Sequence, residues 1–435
     1  MKKILIAVPT KDRSDMVEEV LEYEIPYYKK YDVALCFYDS SVDGKTEHII
    51  HRLSQQNKFE IHYKKMDSSL CLDNKMIELL KDFTNSGYDY VWIINDSIAI
   101  LEDMLNYVMQ KLDEQYDLIR LPLSGEGQVE DYITEDVNDW FQNCSSGMAH
   151  MASTVMSRTL LDMDIEWDHL KDKYIYNNAL DDKHGYFFTV GFYLEQICRL
   201  KKFKGLFIGN KFKWRRDSPL KKQRMYWSEY VFEAWGKSYP ETILKLPDIY
   251  TNKEDVIRSS DNIRVGRFSK EMLIHYRLNG MYDEKKFEKY RSYFQYITDE
   301  TEDTCHRISI EPVENLKQCY SHLSLLEGDW EKKLETIERT LGKSNIYLYG
   351  AGLYGERAAQ KLSQDGYVSF IKSILVTNAE INITSLCGIP VQSIKNVTVK
   401  KDEKIIICTL PKTAEMIKKE LMKRNIRNYI GLFDV

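Results

Sequence analysis

Between Gly87 and Ile100 the chain reads GYDYVWIINDSIAI, an apolar run that stops abruptly at Asn95, Asp96 and Ser97. So short a run of aromatic and β-branched residues reads as a buried strand of a mostly parallel sheet. Ligands of open α/β sheets sit beyond the carboxyl ends of the strands, which puts Asp96 where chemistry is done. Oxygen-bearing side chains there can coordinate a hard divalent cation bridging a diphosphate. The stretch also reads as a strand followed by an ordinary Asn-Asp-Ser turn. The order of the neighbouring stretches separates the two readings.

Upstream, Lys3–Val8 is strand-like and ends in Pro9-Thr10 and the polar Lys11-Asp12-Arg13. Ser14 or Asp15 then caps a helix from Met16 to about Glu24. Val33–Tyr38 is a second strand, closed by Asp39-Ser40-Ser41-Val42-Asp43-Gly44, with a helix from about Lys45. Phe59–Tyr63 is a third, and helical Leu72–Phe83 leads back to the opening strand. Strand and helix alternating at this spacing mean βαβ units and a parallel sheet.

With 435 residues the chain holds two or three domains. A hydrophobic share of 43% and a charged share of 29% are ordinary for a soluble globular protein. A net charge of −6 argues against a general nucleic-acid binder while leaving room for a local basic patch. The 8 cysteines form no Cys-x-x-Cys pair, which argues against a zinc knuckle or a thioredoxin-like site and fits a reducing compartment. The opening MKKILIAVPTKDR is too briefly apolar for a signal peptide, and no later stretch is long enough to span a bilayer. The expected location is the cytoplasm, with peripheral membrane contact compatible. The 30 tyrosines suit a carbohydrate site, but equally cores and interfaces.

Together these stretches resemble the nucleotide-binding half of a GT-A glycosyltransferase, of the broad inverting, family-2-like bacterial kind. Such enzymes open with a strand ending near Pro-Thr/Tyr-Asn-Arg, matched by Pro9-Thr10-Lys11-Asp12-Arg13. Their D-x-S-x-D-G-T loop is matched, with one extra residue, by Asp39–Thr46, and their A-R-N-like helix start by Leu72-Asp73-Asn74-Lys75. Their D-x-D strand end is reduced here to Asn95-Asp96-Ser97. The resemblance implies that Pro9, Thr10, Arg13, Asp39 and Asn74 hold the donor nucleotide, and that Asp96 faces its diphosphate. It also implies a divalent cation (Mn or Mg) at Asp96, although one carboxylate stands where the family usually presents two. Asp39 has a second reading, as a cap of the following helix.

Further along, Asn143–Met148 and Val155–Leu161 resemble the family's small-residue segment and the helix that follows it beside the sugar, and also read as a plain loop-to-helix entry. The stretch Gly185–Leu200 resembles the helix bearing the catalytic base. Placing Arg199-Leu200 on the family's Arg-Leu leaves its Glu-Asp pair on Phe192-Tyr193, so the motif is broken. Glu195 is the nearest carboxylate and the expected base, with Asp182 second; Glu195 also reads as a solvated helix-face residue. Inverting transfer needs one such carboxylate within hydrogen-bond reach of the acceptor hydroxyl. In a lopsidedly basic stretch, Lys213-Trp214-Arg215-Arg216-Asp217-Ser218 resembles the late family segment that closes over the diphosphate, with Arg215 and Arg216 as donor-binding cations. The same basic stretch suits an anionic membrane surface.

Lys285–Tyr296 and Asn315–Leu341 look helical and carry little readable chemistry. From Ser344, a strand Ile346–Tyr349, Gly350-Ala351-Gly352-Leu353-Tyr354-Gly355 and a helix form a dinucleotide fingerprint. The next strand ends in Thr377-Asn378, without the acid that grips a ribose diol. This unit resembles the Rossmann-like add-on domain of many bacterial glycan-assembly transferases, which implies that the glycines serve tight helix–strand packing; binding of a dinucleotide cofactor is the alternative reading.

The expected architecture is α/β: a GT-A-like domain over 1–235, a helical accessory region over 236–343 and a small Rossmann-like domain over 344–435. The resemblance implies transfer from a nucleotide-diphosphate sugar, UDP-linked, to a hydroxyl of a glycan, lipid-linked glycan or protein, in bacterial surface-glycan assembly. A homo-oligomer is compatible, and no nucleic acid is expected as a partner. Two rivals stand beside it: an NAD-dependent enzyme run by 344–435, and a non-catalytic nucleotide-binding or assembly module.

Overall fold

The computed structural model describes residues 2–123, 130–175, 186–209, 214–218, 220, 230–260, 263, 266–320, 329–342, 344–377, 385–409, 411–432 and 434. The chain forms two compact units. One is Met1–Pro122 with Glu130–Asp261 and Ser292–Ile297; the other is Leu123–Val129 with Asn262–Arg291 and Thr298–Val435.

The first unit is built on strands β1 (Ile4–Thr10), β2 (Ala34–Asp39), β3 (Ile61–Lys65), β4 (Tyr90–Ile93), β5 (Ile98–Ile100), β6 (Leu118–Arg120), β7 (Tyr132–Thr134), β8 (Thr154–Ser157), β9 (Gly205–Phe207) and β10 (Arg215–Asp217). Its large sheet runs β3-β2-β1-β4-β8-β6-β9-β7. Only β7 and β8 run antiparallel to their neighbours. The mostly parallel sheet expected from the opening strand is therefore present. Every residue of β1 and β4 is buried, the signature of strands covered on both faces. Trp92 in β4 is fully buried and donates its indole N–H to Ala152 O at 2.8 Å, so its one polar atom is satisfied.

The covering helices are α1 (Ser14–Lys30), α2 (Lys45–Asn57), α3 (Leu72–Thr84), α4 (Glu102–Leu112), α5 (Val137–Met148), α6 (Trp167–Tyr174) and α7 (Phe188–Ile197). The first helix runs six residues beyond the expected end at Glu24 and passes through Pro26. Its apolar stripe Val17, Leu21, Ile25 and Tyr28 is buried throughout, and that burial outweighs the one backbone bond that proline removes.

One stretch folds differently from its sequence reading. Asn143–Met148 is the last half of α5 rather than a loop, and Val155-Met156-Ser157 lies in β8, followed by a single 3₁₀ turn, Arg158–Leu160. Pairing with β4 and β6 makes β8 a central strand, and that tertiary context overrides the local pattern. Gly147 is small for a reason internal to the fold. A Cβ there would lie 1.4 Å from Arg120 Nη2, and Arg120 is buried with its guanidinium over the Phe207 ring.

After Asp96 the chain turns, with Ile98 N donating to Asn95 O at 3.2 Å, and β5 pairs with β10 in a separate two-stranded ribbon. Ser218 N donates to Ser97 O at 2.9 Å and extends it. The ribbon is fastened to α1. Arg216 forms an ion pair with Glu19 and lies over the Tyr23 ring, and Glu24 Oε1 accepts from Ile100 N at 2.6 Å.

The second unit contains β11 (Ile346–Tyr349), β12 (Ile371–Val376), β13 (Ser385–Leu386), β14 (Ile389–Ser393), β15 (Lys404–Ile407) and β16 (Tyr429–Gly431), in the order β13-β14-β12-β11-β15-β16. Its five parallel strands follow the 3-2-1-4-5 order of doubly wound folds. Gly350 has φ +119°, and a Cβ on Gly355 would fall 1.7 Å from Gly350 O, so the helix Leu353–Gln364 can approach this turn only with glycine there. The helices Lys270–Leu278, Glu302–Ile310, Val313–Tyr320 and Asp329–Leu341 belong to the same unit. Among the described residues no helix is long and apolar enough to cross a membrane.

Burial of Glu24 has a measurable consequence. Loss of hydration pushes its carboxyl up to about 8, well above its unfolded value, so the folded chain binds a proton that the unfolded chain releases. The Glu24 contribution to stability is therefore fullest below the unfolded carboxyl range and falls as pH rises from there to about 8. Glu24→Gln keeps the acceptor for Ile100 N and cannot ionise. Urea unfolding is expected to show the variant at least as stable as the parent near the top of that window, with a flatter pH profile.

Candidate functional site

The strand order reverses at β1: the chain moves outward through β2 and β3, then returns to β4 on the other side of β1. Loops leaving adjacent strands in opposite directions open a crevice there, the usual ligand position in such sheets. The carboxyl ends of β1, β2 and β4 deliver Thr10, Asp39 and, three residues past β4, Asp96.

Asp96 is 5% exposed and both of its oxygens are engaged. Thr10 Oγ1 donates to Oδ2 at 2.8 Å, and Arg13 Nη1 pairs with Oδ1 at 2.9 Å. The Arg13 side chain is 51% exposed, so its guanidinium keeps donors available to a ligand. Asp39 is fully buried. Its Oδ1 accepts from Ser41 N at 2.8 Å and from the Ser41 hydroxyl, and its Oδ2 from Tyr63 OH at 3.0 Å. Asp39 thus caps no helix; it organises the turn that carries Ser40 and Ser41. Asp12, at φ +53°, donates its N–H to Ser41 Oγ at 2.7 Å and ties the first two loops together.

Lys75 completes the group. It stands one turn into α3, is 4% exposed, and donates Nζ to Thr10 O at 3.1 Å. Burial pushes its amine down, and the carboxylates of Asp39 and Asp96 oppose that shift. The signal for it was present in the sequence, since Lys75 follows Asn74 directly in the helix start. Asn74 is half-buried and donates Nδ2 to Cys71 Sγ at 3.1 Å. Asp73 faces another way, accepting from Phe188 N at the start of α7. Burial raises its carboxyl well above the usual range, and its Oδ2 has no partner among the described residues.

The remaining expected residues are dispersed. Pro9 is buried in β1, opposite Tyr38. Arg216 is committed to Glu19, whereas Arg215 is half-buried with its guanidinium over the Trp214 ring at 5.3 Å. Glu195 faces α6: Lys173 forms an ion pair with it, and Tyr174 OH donates to it at 2.6 Å. The Tyr174 ring lies against Gly191, one turn earlier, where a Cβ would come within 2.6 Å. At 1.5 Å per residue, Glu195 sits roughly 10 Å along α7 from Phe188. Asp182 lies outside the described residues.

The donor set fits a metal poorly. Among the described residues no three His, Cys, Asp or Glu side chains gather to hold an ion. Asp96 is a single carboxylate with a guanidinium already beside Oδ1. In the second unit, β12 is followed by Thr377, whose hydroxyl meets Tyr349 OH at 3.2 Å, in the place where a ribose-binding acid would stand.

No family model matches the chain, and no curated protein matches it. Distant structural likenesses exist. The S. aureus TarS fragment 1–349 has a TM-score of 0.43 at 12% identity, over 73% of this chain and 92% of that one. The same fragment in complex with UDP-GlcNAc gives a TM-score of 0.40 at 12% identity, over 84% and 92%. The Pyrobaculum calidifontis mannosyltransferase PcManGT, in complex with GDP-Man and Mn2+, gives 0.37 at 12% identity, over 74% and 88%. At such scores no residue role is transferred from these proteins.

The Thr10–Asp96 bond can be tested without reference to any ligand. Thr10→Val keeps the side-chain shape and removes the donor, leaving one buried carboxylate oxygen unpaired. The expected loss in urea unfolding is about 1–3 kcal/mol.

Proposed function

We propose that the first unit is a glycosyltransferase domain that binds a nucleotide-diphosphate sugar, UDP-linked, and passes the sugar to a hydroxyl of a glycan, lipid-linked glycan or protein. The observation that carries this reading is the meeting of Asp39, Asp96, Arg13 and Lys75 at the crevice where the strand order reverses. Asp96 can accept a ribose hydroxyl or N–H through its remaining lone pairs, Asp39 holds the Ser40-Ser41 turn beside it, and a half-exposed guanidinium answers phosphate oxygens. A site with anion-binding and hydroxyl-binding elements a few ångströms apart suits a nucleoside diphosphate.

In the reaction, the acceptor oxygen attacks the anomeric carbon and a base takes its proton. The bond to the β-phosphate oxygen breaks, and the nucleoside diphosphate leaves with the bonding pair. Charge grows on that leaving group, and cations aimed at it lower the barrier. Arg13 holds that place beside Asp96, and Arg215 on the ribbon is the second candidate. Asp96, a single carboxylate already paired with Arg13, does not by itself make a metal centre, so in this reading the diphosphate charge falls to Arg13 and Arg215. Glu195 serves as the base in this reading, its carboxylate held by Lys173 and Tyr174, and Asp182 is the alternative. Inversion at the anomeric carbon and a place in surface-glycan assembly belong to the same proposal.

The test is release of nucleoside diphosphate from a panel of UDP- and GDP-sugars, with and without manganese. Arg13→Ala and Asp39→Asn are each expected to lower kcat/KM for the donor by roughly a hundredfold, about 2.7 kcal/mol of transition-state stabilisation. Full turnover by both variants, or no turnover of any donor by the parent chain, would overturn the assignment. Full activity in Glu195→Gln moves the base elsewhere, and Asp182→Asn is then the variant to compare.

A further inference from the structure

The helix Pro411–Lys423 covers one face of the second unit's sheet. Ala414, Ile417 and Leu421 enter a core with Tyr347, Tyr349, Leu375, Ile405 and Ile407. At 100° per residue, the opposite side of the helix brings Met416, Lys419, Met422 and Lys423 into an arc of roughly 120°, with Lys419 central. Met416 and Met422 are 61% and 59% exposed; among the described large apolar residues only Val42 is more so. Lys419 and Lys423 are exposed and form no ion pair among the described residues. Their neighbours behave differently: Lys418 is paired with Glu415 and Asp434, and Arg424 with Glu420.

The surrounding surface has the same sign. Val397 and Val399 pack against the core that receives this helix, and the segment holding them exposes Lys395, Lys400 and Lys401. None of the three forms an ion pair among the described residues. Residues 344–435 carry 13 Lys and Arg against 8 Asp and Glu, in a chain whose net charge is −6. This region is therefore positive against the trend of the whole protein.

Exposed lysines alone are a solvated face. Two flexible, exposed thioethers in the same arc are costly in water and adapt readily to an irregular apolar surface. Basic and apolar side chains on one helix face match the boundary of a lipid bilayer, where anionic headgroups meet acyl chains. A nucleic acid would use the lysines and leave both methionines in water. We propose that the outer face of Pro411–Lys423, with Lys395, Lys400 and Lys401, docks the protein reversibly on an anionic membrane. The proposal does not depend on the glycosyltransferase reading.

The test is co-sedimentation of the full chain with phosphatidylglycerol-containing vesicles, against vesicles of phosphatidylcholine alone. Binding is expected only to the anionic vesicles and is expected to weaken with salt. Each neutralised lysine should weaken it roughly fivefold. Lys419→Glu with Lys423→Glu is expected to weaken binding at least tenfold, about 1.4 kcal/mol, and Met416→Ser with Met422→Ser to weaken it at unchanged salt dependence. All four positions are exposed, so unchanged thermal unfolding of the variants verifies that the fold is intact. Equal binding to both vesicle types, no binding to either, or anionic binding untouched by both double variants would overturn the proposal.

Discussion

The ion pair between Arg13 and Asp96, with Thr10 on the other carboxylate oxygen, is the constraint on which the first unit's crevice depends. It joins the loop after β1 to the turn after β4, the two strands between which the chain changes direction. Lys75 reaches the same loop from α3, and Asp12 ties it to the loop after β2. Three strand ends are thereby held in one geometry by the side chains proposed above to bind the donor. A buried carboxylate with one cation and one hydroxyl donor is a costly arrangement unless its partners stay in place. Arg13 and Thr10 together fix the direction in which Asp96 presents its carboxylate.

Much of this was legible in the sequence. The apolar run up to Asn95, and the polar residues closing the strands at Thr10 and Asp39, located the sheet and its ligand end, because buried parallel strands are written as uninterrupted apolar stretches. Asn95-Asp96-Ser97 announced the reduced carboxylate count. Less legible were elements whose conformation is set by distant partners. Val155-Met156-Ser157 is a strand because β4 and β6 flank it, and Gly147 of α5 makes room for the Arg120 guanidinium. Lys75 stands in the helix start beside Asn74, where a lysine reads as solvated, and its burial against Thr10 O brings it into the cluster. The contacts of Arg216 with Glu19, and of Glu195 with Lys173 and Tyr174, could not be read in one dimension because their partners lie far along the chain.

The second unit shows how one motif can answer two demands. Gly350 and Gly355 have the spacing of a dinucleotide turn, and their geometry is accounted for by helix-to-strand approach within a doubly wound sheet. Its outer helix then presents a basic and apolar surface that the sheet does not need for stability.

The central claim is that the Arg13–Asp96–Lys75–Asp39 cluster is a nucleoside-diphosphate site. Calorimetric titration of UDP, with UMP as the comparison, addresses it most directly in the parent chain and in Arg13→Ala. The account predicts that UDP binds more tightly than UMP, and that Arg13→Ala removes most of that difference while leaving UMP binding nearly unchanged. Equal affinity for UDP and UMP, or a difference that survives Arg13→Ala, would contradict it.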